Sequence, residues 1–305
     1  MIVNSSNIDV SIIIVNYNTE RLICNCINSI KKNLNDCIYE IIIVDNASLD
    51  CSGKKLEDKY KKEKNIIVIH LNENIGFGKA NNVGFNISKG RNILFLNPDT
   101  ILINNAPLLM SKYLDENSDI GAVGGNLYDE KMQPTHSFHR LFPSLFSELS
   151  ASCFYLPELC VFGKNLRFNY KNKPLDVAFV TGADLMIKRV VLEEIGTFNP
   201  LFFMYYEETE LCWRIKKKGY RVVSYPFAKI QHLEGKSSSN FKLKARFVSE
   251  SRRTFFKIIY PSYYSYIVNL LFGVTCIEHM IWDIITTNQG WVYWQNMFYL
   301  TFFKK

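Results

Sequence analysis

The 305-residue sequence has no Cys-x-x-Cys pair among its eight cysteines, which removes the spacing of zinc ribbons and dithiol redox centres. A chain this long buries a core without disulfides. The cysteines therefore read as reduced thiols of a cytosolic protein, mostly buried apolar filler. Internal repeats and low-complexity linkers are missing too. The N-terminus carries no charged leader, and its first apolar run stops at Asn16, too short for a signal peptide or a membrane span. A cytoplasmic location follows as the expectation. Nor is there a large surplus of one charge: 36 basic against 29 acidic residues leave +7. A phosphate-bearing substrate or an anionic membrane accounts for that bias as well as nucleic acid does, and no nucleic-acid partner is expected. Finally, Ile75-Gly76-Phe77-Gly78-Lys79-Ala80 has neither the third glycine of a dinucleotide fingerprint nor the lysine-hydroxyl pair of a P-loop, so both readings are rejected.

What is present is 48% apolar residues, ample for one large α/β domain with an appendage or for two small domains. Short β-branched runs at residues 10–15, 40–44, 66–71 and 92–96 have the pattern of strands buried on both faces of a parallel sheet. Between them, Leu22, Ile23, Cys26, Ile27 and Ile30 mark one helical face, and Ala80, Val83, Gly84 and Ile87 another. Strand and helix in alternation predict a doubly wound α/β sheet. Such sheets bind ligands beyond the carboxyl ends of their strands. All four ends here are polar: Asn16-Tyr17-Asn18, Asp45-Asn46-Ala47-Ser48, Asn72-Glu73-Asn74 and Asn97-Pro98-Asp99-Thr100. Any one of these residues alone reads first as a turn former or helix cap. Together they place amides, hydroxyls and carboxylates along one rim.

Three later features carry chemistry. Asp99, after a buried strand and a proline, is placed to bind a hard divalent cation, and His232 offers an imidazole of the kind Mn²⁺ accepts. Spacing alone does not bring residues 99 and 232 together, and a lone histidine is ordinarily a surface or core residue. Glu207, Glu208 and Glu210 open a helix ending in Lys216-Lys217-Lys218 before Gly219, which helix-dipole complementarity explains by itself. The bulky run Phe202-Phe203-Met204-Tyr205-Tyr206 just before it favours a pocket that raises a glutamate's pKa. Between residues 137 and 174 an aromatic-rich, loop-like stretch is expected on the acceptor side.

Read together, Val10-Ser11-Ile12-Ile13-Ile14-Val15-Asn16-Tyr17-Asn18, Val44-Asp45-Asn46-Ala47-Ser48, Asn74-Ile75-Gly76-Phe77-Gly78-Lys79-Ala80-Asn81-Asn82 and Leu96-Asn97-Pro98-Asp99-Thr100 resemble family-2 glycosyltransferases of the GT-A fold. Thr181-Gly182-Ala183-Asp184, the 203–213 segment and His232-Leu233-Glu234-Gly235-Lys236-Ser237 follow in family order. The resemblance covers residues 9 to 240 and is nearest to the rhamnosyltransferase-like branch, which builds O-antigen, capsule and other surface polysaccharides from dTDP- or UDP-sugars. It implies a nucleotide-diphosphate sugar donor held around Asn16, Tyr17, Asp45, Asn46, Asn74, Gly76, Asn81 and Asn97. It also implies Mg²⁺ or Mn²⁺ on Asp99 and His232, and Glu208 as the base of an inverting transfer to a glycan or lipid-linked acceptor. Two positions depart from the family. Asn97 replaces the first aspartate of Asp-x-Asp, leaving one metal-binding carboxylate there. Glu208 stands where an aspartate is commoner, with Glu207 and Asp184 as alternative or shared bases.

The expected organisation is a GT-A domain over residues 1–250, with a nucleotide-sugar half at 9–105 and a metal and acceptor half at 106–250, then an aromatic-rich helical tail at 251–305. That tail holds 15 of the 43 aromatic residues. Arg252, Arg253 and Lys257 beside Phe255 and Phe256 suggest peripheral membrane contact at the inner face of the plasma membrane; a dimer or a core-covering helix pair explains the composition equally well. Two rival functions stand beside transfer. A sugar nucleotidyltransferase needs a basic loop near the first strand, which Asn16-Tyr17-Asn18-Thr19-Glu20 does not supply. A catalytically silent nucleotide- or glycan-binding subunit would use the acids at 207, 208 and 210 only as helix caps.

Overall fold

The computed structural model describes residues 8–233, 241–286 and 290–303. Its first part alternates as expected: β1 (Val10–Asn16), α1 (Glu20–Asn33), β2 (Tyr39–Asp45), α2 (Ser52–Tyr60), β3 (Ile66–His70), α3 (Phe77–Ile87) and β4 (Asn92–Leu96). The second part contains β5 (Thr100–Leu102), α4 (Ala106–Glu116), β6 (Ile120–Tyr128), β7 (Phe138–His139), α5 (Leu145–Ser152), α6 (Leu156–Phe162), β8 (Leu175–Asp176), β9 (Phe179–Val180), β10 (Asp184–Lys188), α7 (Arg189–Ile195), α8 (Glu207–Lys217) and β11 (Arg221–His232). Three helices close the chain: α9 (Phe241–Ile259), α10 (Ser262–Ile285) and α11 (Trp291–Phe302).

The main sheet runs β3-β2-β1-β4-β10-β6-β11-β5, with β8 on β11. Strands β3, β2, β1 and β4 are mutually parallel, β10 runs antiparallel between β4 and β6, and β6 is parallel to β11. The sheet is thus mixed and mostly parallel. The continuous apolar runs of β1, β2 and β4 are explained by helices on both faces: Ile12, Ile14, Ile41 and Leu94 meet Ile23 and Ile27 of α1 in one cluster, while Ile13, Ile42 and Phe95 join Ala80 of α3 in another. The third run differs from expectation. As an edge strand, β3 leaves Ile67 37% exposed. Strand order reverses at β1, which lies between β2 and β4, and the crevice beyond that switch point faces the polar rim.

Other sequence expectations are revised. Residues 137–174 are not simply a loop, because α5 and α6 lie within them. Ser144 caps α5 by accepting from the Ser147 backbone, and the Ser147 hydroxyl receives the Ser144 N–H in return. Helix α9 begins at Phe241 and passes unbroken through residue 250, where the tail was expected to start. Arg252, Phe255 and Phe256 are buried: the Phe pair packs with Phe202 and Val268, and Arg252 is paired to Glu148 at 2.9 Å. These three residues hold the helical layer to the sheet domain and offer no outer surface. Of the cysteines, all free, Cys26, Cys212 and Cys276 are buried but Cys51, Cys153 and Cys160 are exposed, so the buried-filler reading holds for only part of the set.

Candidate active site

At the switch point the polar residues bind one another before they bind anything else. Asn16, fully buried at the end of β1, donates its amide to Asp45 Oδ1 at 2.7 Å, Ser48 Oγ at 3.1 Å and Ser52 Oγ at 2.8 Å. Its Oδ1 accepts from the backbone N–H and hydroxyl of Thr19. Ser48 also donates to Asp45, at 2.5 Å. Gly53 gives the Asp45 carboxylate its room, since a Cβ there would lie 2.3 Å from it. On the next loop, Asn46 donates to Asn74 Oδ1 at 3.0 Å and accepts from the Ile75 N–H, while Asn74 Oδ1 also accepts from the Gly76 N–H. Beside this network, Tyr17, Arg21 and Asp50 line an open shelf of about 460 Å³. Tyr17 is 41% exposed there, leaving its ring free to stack on a planar ligand.

Two of the residues expected at the nucleotide also make contacts within the chain. Gly76 sits at φ +90°, and a Cβ on it would fall 2.4 Å from the Phe203 carbonyl oxygen. That carbonyl accepts the Phe77 N–H at 2.8 Å, so Gly76 joins the rim to the segment leading into α8. Asn81 is buried and donates back to the Phe77 carbonyl of its own helix, and its Oδ1 has no hydrogen-bond partner among the described residues. Asn82 is the residue that reaches outward, exchanging two hydrogen bonds with the Phe198 backbone.

The ladder between β5 and β11 explains how Asp99 and His232 meet. It sets His232 opposite Thr100, the Leu233 N–H binds the Asp99 carbonyl at 2.9 Å, and His232 Nε2 then lies 3.3 Å from Asp99 Oδ1. Donors bound to one cation at ~2.1 Å each and near a right angle sit about 3 Å apart, so this pair fits two ligands of a small divalent ion. No cluster of three or more metal-binding side chains occurs among the described residues; a cation held here would take its remaining ligands from phosphate and water. The adjoining Glu234-Gly235-Lys236-Ser237 part of the motif lies outside the described residues.

The three candidate carboxylates fare differently. Asp184 is fully buried; its Oδ2 accepts the Gly125 N–H at 2.6 Å, and Oδ1 has no hydrogen-bond partner among the described residues. Burial pushes its pKa up to about 7, against smaller lowering effects of the Gly125 N–H and of His232. Glu207 is turned inward near Gly78, with Oε2 unpartnered among the described residues. Burial and the neighbouring Glu208 hold its pKa well above the usual carboxylate range. Glu208 alone of the three lines a cavity of about 330 Å³, walled also by Tyr155, Arg167, Tyr205, Phe272 and Trp294. Burial raises its pKa too, outweighing the backbone and Thr209 hydrogen bonds that lower it. Tyr205 and Tyr206, at φ +71° and +67°, turn the chain sharply into α8. Such left-handed residues cost about 1 kcal/mol or more each and concentrate where function fixes the backbone.

One short segment links the loop that carries Asp99 to the glutamate. Gly182 packs against the Glu208 side chain, at 3.8 Å from a Cβ position, and the Ala183 carbonyl accepts the Asn97 N–H at 2.9 Å. The cavity walls from α10 and α11 were not read from the sequence. Neither was the role of Ser52; its position at the start of a helix beside the second rim cluster was the available signal.

With this fold and this rim in view, residues 11–196 match the model of glycosyl transferase family 2, and the chain belongs to that family. The low-salt glycan biosynthesis hexosyltransferase Agl10 of Haloferax volcanii is 29% identical over 218 residues, covering 70% of this chain and 64% of the relative. The poly(ribitol-phosphate) beta-glucosyltransferase of Bacillus spizizenii is 38% identical over 114 residues, 36% of this chain and 18% of that protein. The dTDP-rhamnosyl transferase RfbF of Shigella flexneri is 25% identical over 248 residues, covering 76% and 71%. The matches to the first two thus span less than two thirds of those relatives' own length. Among solved structures, GalNAc-T7 with UDP, GalNAc and Mn²⁺ superposes at TM-score 0.62 with 16% identity, over 94% of this chain and 56% of that one. The mannosyltransferase PcManGT of Pyrobaculum calidifontis with GDP-Man and Mn²⁺ gives 0.58 with 14% identity, over 97% and 86%. The fold is GT-A, with a helical C-terminal layer.

Proposed function

We propose that the protein transfers a sugar, with inversion, from a nucleoside-diphosphate donor to a hydroxyl of a glycan or lipid-linked acceptor in surface-polysaccharide synthesis, with dTDP-rhamnose as the leading donor. The observation that carries this reading is the Gly182–Ala183 segment, which touches the Glu208 side chain at one residue and accepts the Asn97 N–H at the next, two positions before Asp99. The similarity to RfbF supports the choice of donor, and the neighbours solved with Mn²⁺ support a divalent cation.

In this reading Tyr17 and the Asn16–Asp45 network hold the nucleoside on the shelf. Asp99 and His232 would hold Mg²⁺ or Mn²⁺, which when bound supplies positive charge to the departing diphosphate. Glu208 takes the proton of the acceptor hydroxyl as that oxygen attacks the anomeric carbon, and the bond to the diphosphate oxygen breaks on the opposite face. Its raised pKa makes it a stronger base than an exposed glutamate. Glu207 and Asp184, whose burial favours the protonated form, stand beside it as residues that could share the role.

The direct test incubates the purified protein and Mn²⁺ or Mg²⁺ with a panel of nucleotide sugars and saccharide acceptors, measuring released nucleoside diphosphate and extended product. Turnover with one donor class is expected, strongest with dTDP-rhamnose. Tight donor binding with no release or transfer across the panel would instead identify a silent binding subunit.

A further inference from the structure

Helix α10 has its polarity reversed. Every exposed position from residue 263 to 285 carries Tyr, Ile, Leu, Val or Trp, with Tyr266, Ile267, Leu270, Val274, Ile277 and Ile281 recurring at three- and four-residue intervals on the open side. Its polar residues point inward: Thr275 and Asp283 are buried, and Asn269 accepts from Arg252 at 2.7 Å. The helix is 24 residues long and apolar enough to cross a membrane, yet only 28% of its most apolar stretch is buried, so it is not the core helix of the domain.

The α5–α6 pair repeats the inversion. Exposed positions from 146 to 161 carry only Phe, Leu, Val and Cys, whereas Glu148, Ser150 and Glu158 are buried. The two segments meet at a 110° bend. At that bend Phe154 packs on Trp282 of α10, ring centroids 6.3 Å apart, which joins the two apolar faces into one. Outward apolar and inward polar groups suit hydrocarbon as the surrounding solvent and not water. Packed on α10, α9 exposes Lys242, Lys244, Arg246 and Lys257 against one exposed acid, Glu250, which pairs with Arg246 at 2.9 Å. These cations favour anionic headgroups over a second copy, which would bring like charges together.

We propose that the α5–α6 bend and the open face of α10 insert together into one leaflet of an anionic membrane, with the cations of α9 at the headgroups. Insertion in the plane, without crossing, follows from the neighbours packed on α10: α9 is charged, and the 12 residues of α11 rise only ~18 Å against a hydrocarbon core of ~30 Å. Membrane contact thus comes from α5–α6 as well as from the tail, and from residues other than Arg252, Phe255 and Phe256. The cavity beside Glu208 takes Ala151 and Tyr155 from the bend and Phe272 and Thr275 from α10; it would therefore open near the headgroups, where a lipid-linked hydroxyl lies. That last consequence rests on the proposed transfer, while the insertion itself does not.

The test is flotation of the full chain with phosphatidylcholine vesicles, with and without phosphatidylglycerol, for the wild type and three double variants. Leu270→Glu with Val274→Glu probes α10, Leu156→Glu with Leu159→Glu probes the bend, and Lys242→Glu with Lys244→Glu probes the cations. The first two alter exposed side chains, and circular dichroism with nucleotide binding checks that the fold and donor site survive. The wild type is expected to float with anionic vesicles, each apolar pair to weaken partition by at least about tenfold, and the lysine pair to weaken it only when phosphatidylglycerol is present. Trp282 emission should be quenched by brominated lipid, a signal lost in Trp282→Phe. A wild type that stays with the lipid-free fraction overturns the proposal. So does a bend variant that floats like wild type, or a lipid-free dimer that the α10 pair dissociates.

Discussion

The two sides of β4 treat buried carboxylates in opposite ways. On the β1–β2 side, one asparagine amide serves Asp45, Ser48 and Ser52, and its oxygen is occupied by Thr19. On the β10 side, Asp184 buries a carboxylate oxygen that has no hydrogen-bond partner among the described residues, as does Glu207 at the start of α8. Satisfied networks fix a shape, while unsatisfied carboxylates have raised pKa values and hold basicity in reserve. In the proposed reading the donor side is thus the rigid mould, and the acceptor side carries the reactive group.

Glu208→Gln breaks the contrast most severely. The amide keeps the size and most contacts of the side chain but accepts no proton, so transfer should fall about a thousandfold while donor affinity stays near wild type. Initial rates together with nucleotide titration measure both; unchanged transfer would remove Glu208 from its role. Glu207→Gln serves as the control. Its side chain faces away from the cavity, and transfer should change far less.

Asp184 sharpens the same contrast through pH. Its pKa is raised from an ordinary carboxylate value to about 7, so folding favours its protonated form. The associated stability is complete below about pH 4 and is lost as pH rises through about 7. With no divalent cation added, thermal melts should show Asp184→Asn losing less stability than wild type across that window, by about 3 to 4 kcal/mol. Parallel pH curves for the two proteins would contradict the burial argument.

Asp99→Ala removes one of two adjoining donors and leaves His232 alone. With Mn²⁺ held well below saturation, kcat/KM should drop about a hundredfold, and raising Mn²⁺ should recover part of it. An identical Mn²⁺ dependence in both proteins would show that the pair does not hold the cation.

How legible each side was follows from the same physics. The strands β1, β2 and β4 read directly as unbroken apolar runs because both their faces are covered, and their polar ends stood out against that background. Edge strand β3 read as more buried than it is, since sequence does not say which strand ends the sheet. Asp99 and His232 meet through a three-residue antiparallel ladder that no local pattern encodes, and only the ordered family motifs put them together. Helices α5 and α6 were missed because their polar residues point inward, so the usual reading of apolar-in and polar-out found no helical face. The shift to aromatic composition near residue 251 marked a tail, but α9 had already begun at Phe241.

The smallest expected effect tests whether the donor side is really the mould. Asn16→Ala removes a buried amide and strands Asp45 Oδ1, Ser52 Oγ and the Thr19 hydroxyl with weaker partners. Ser48 still donates to Asp45, which limits the damage. A net loss of about 2 kcal/mol in stability is expected from denaturant unfolding, with the slope unchanged. Donor affinity should weaken along with it, because Tyr17 and the Asn18–Leu49 link follow directly from the end of β1. The pKa of Glu208 depends on burial across β4 and not on this network, so the pH dependence of kcat should not move. If it does move, the two sides are coupled, and the division between a rigid mould and a reactive wall is wrong.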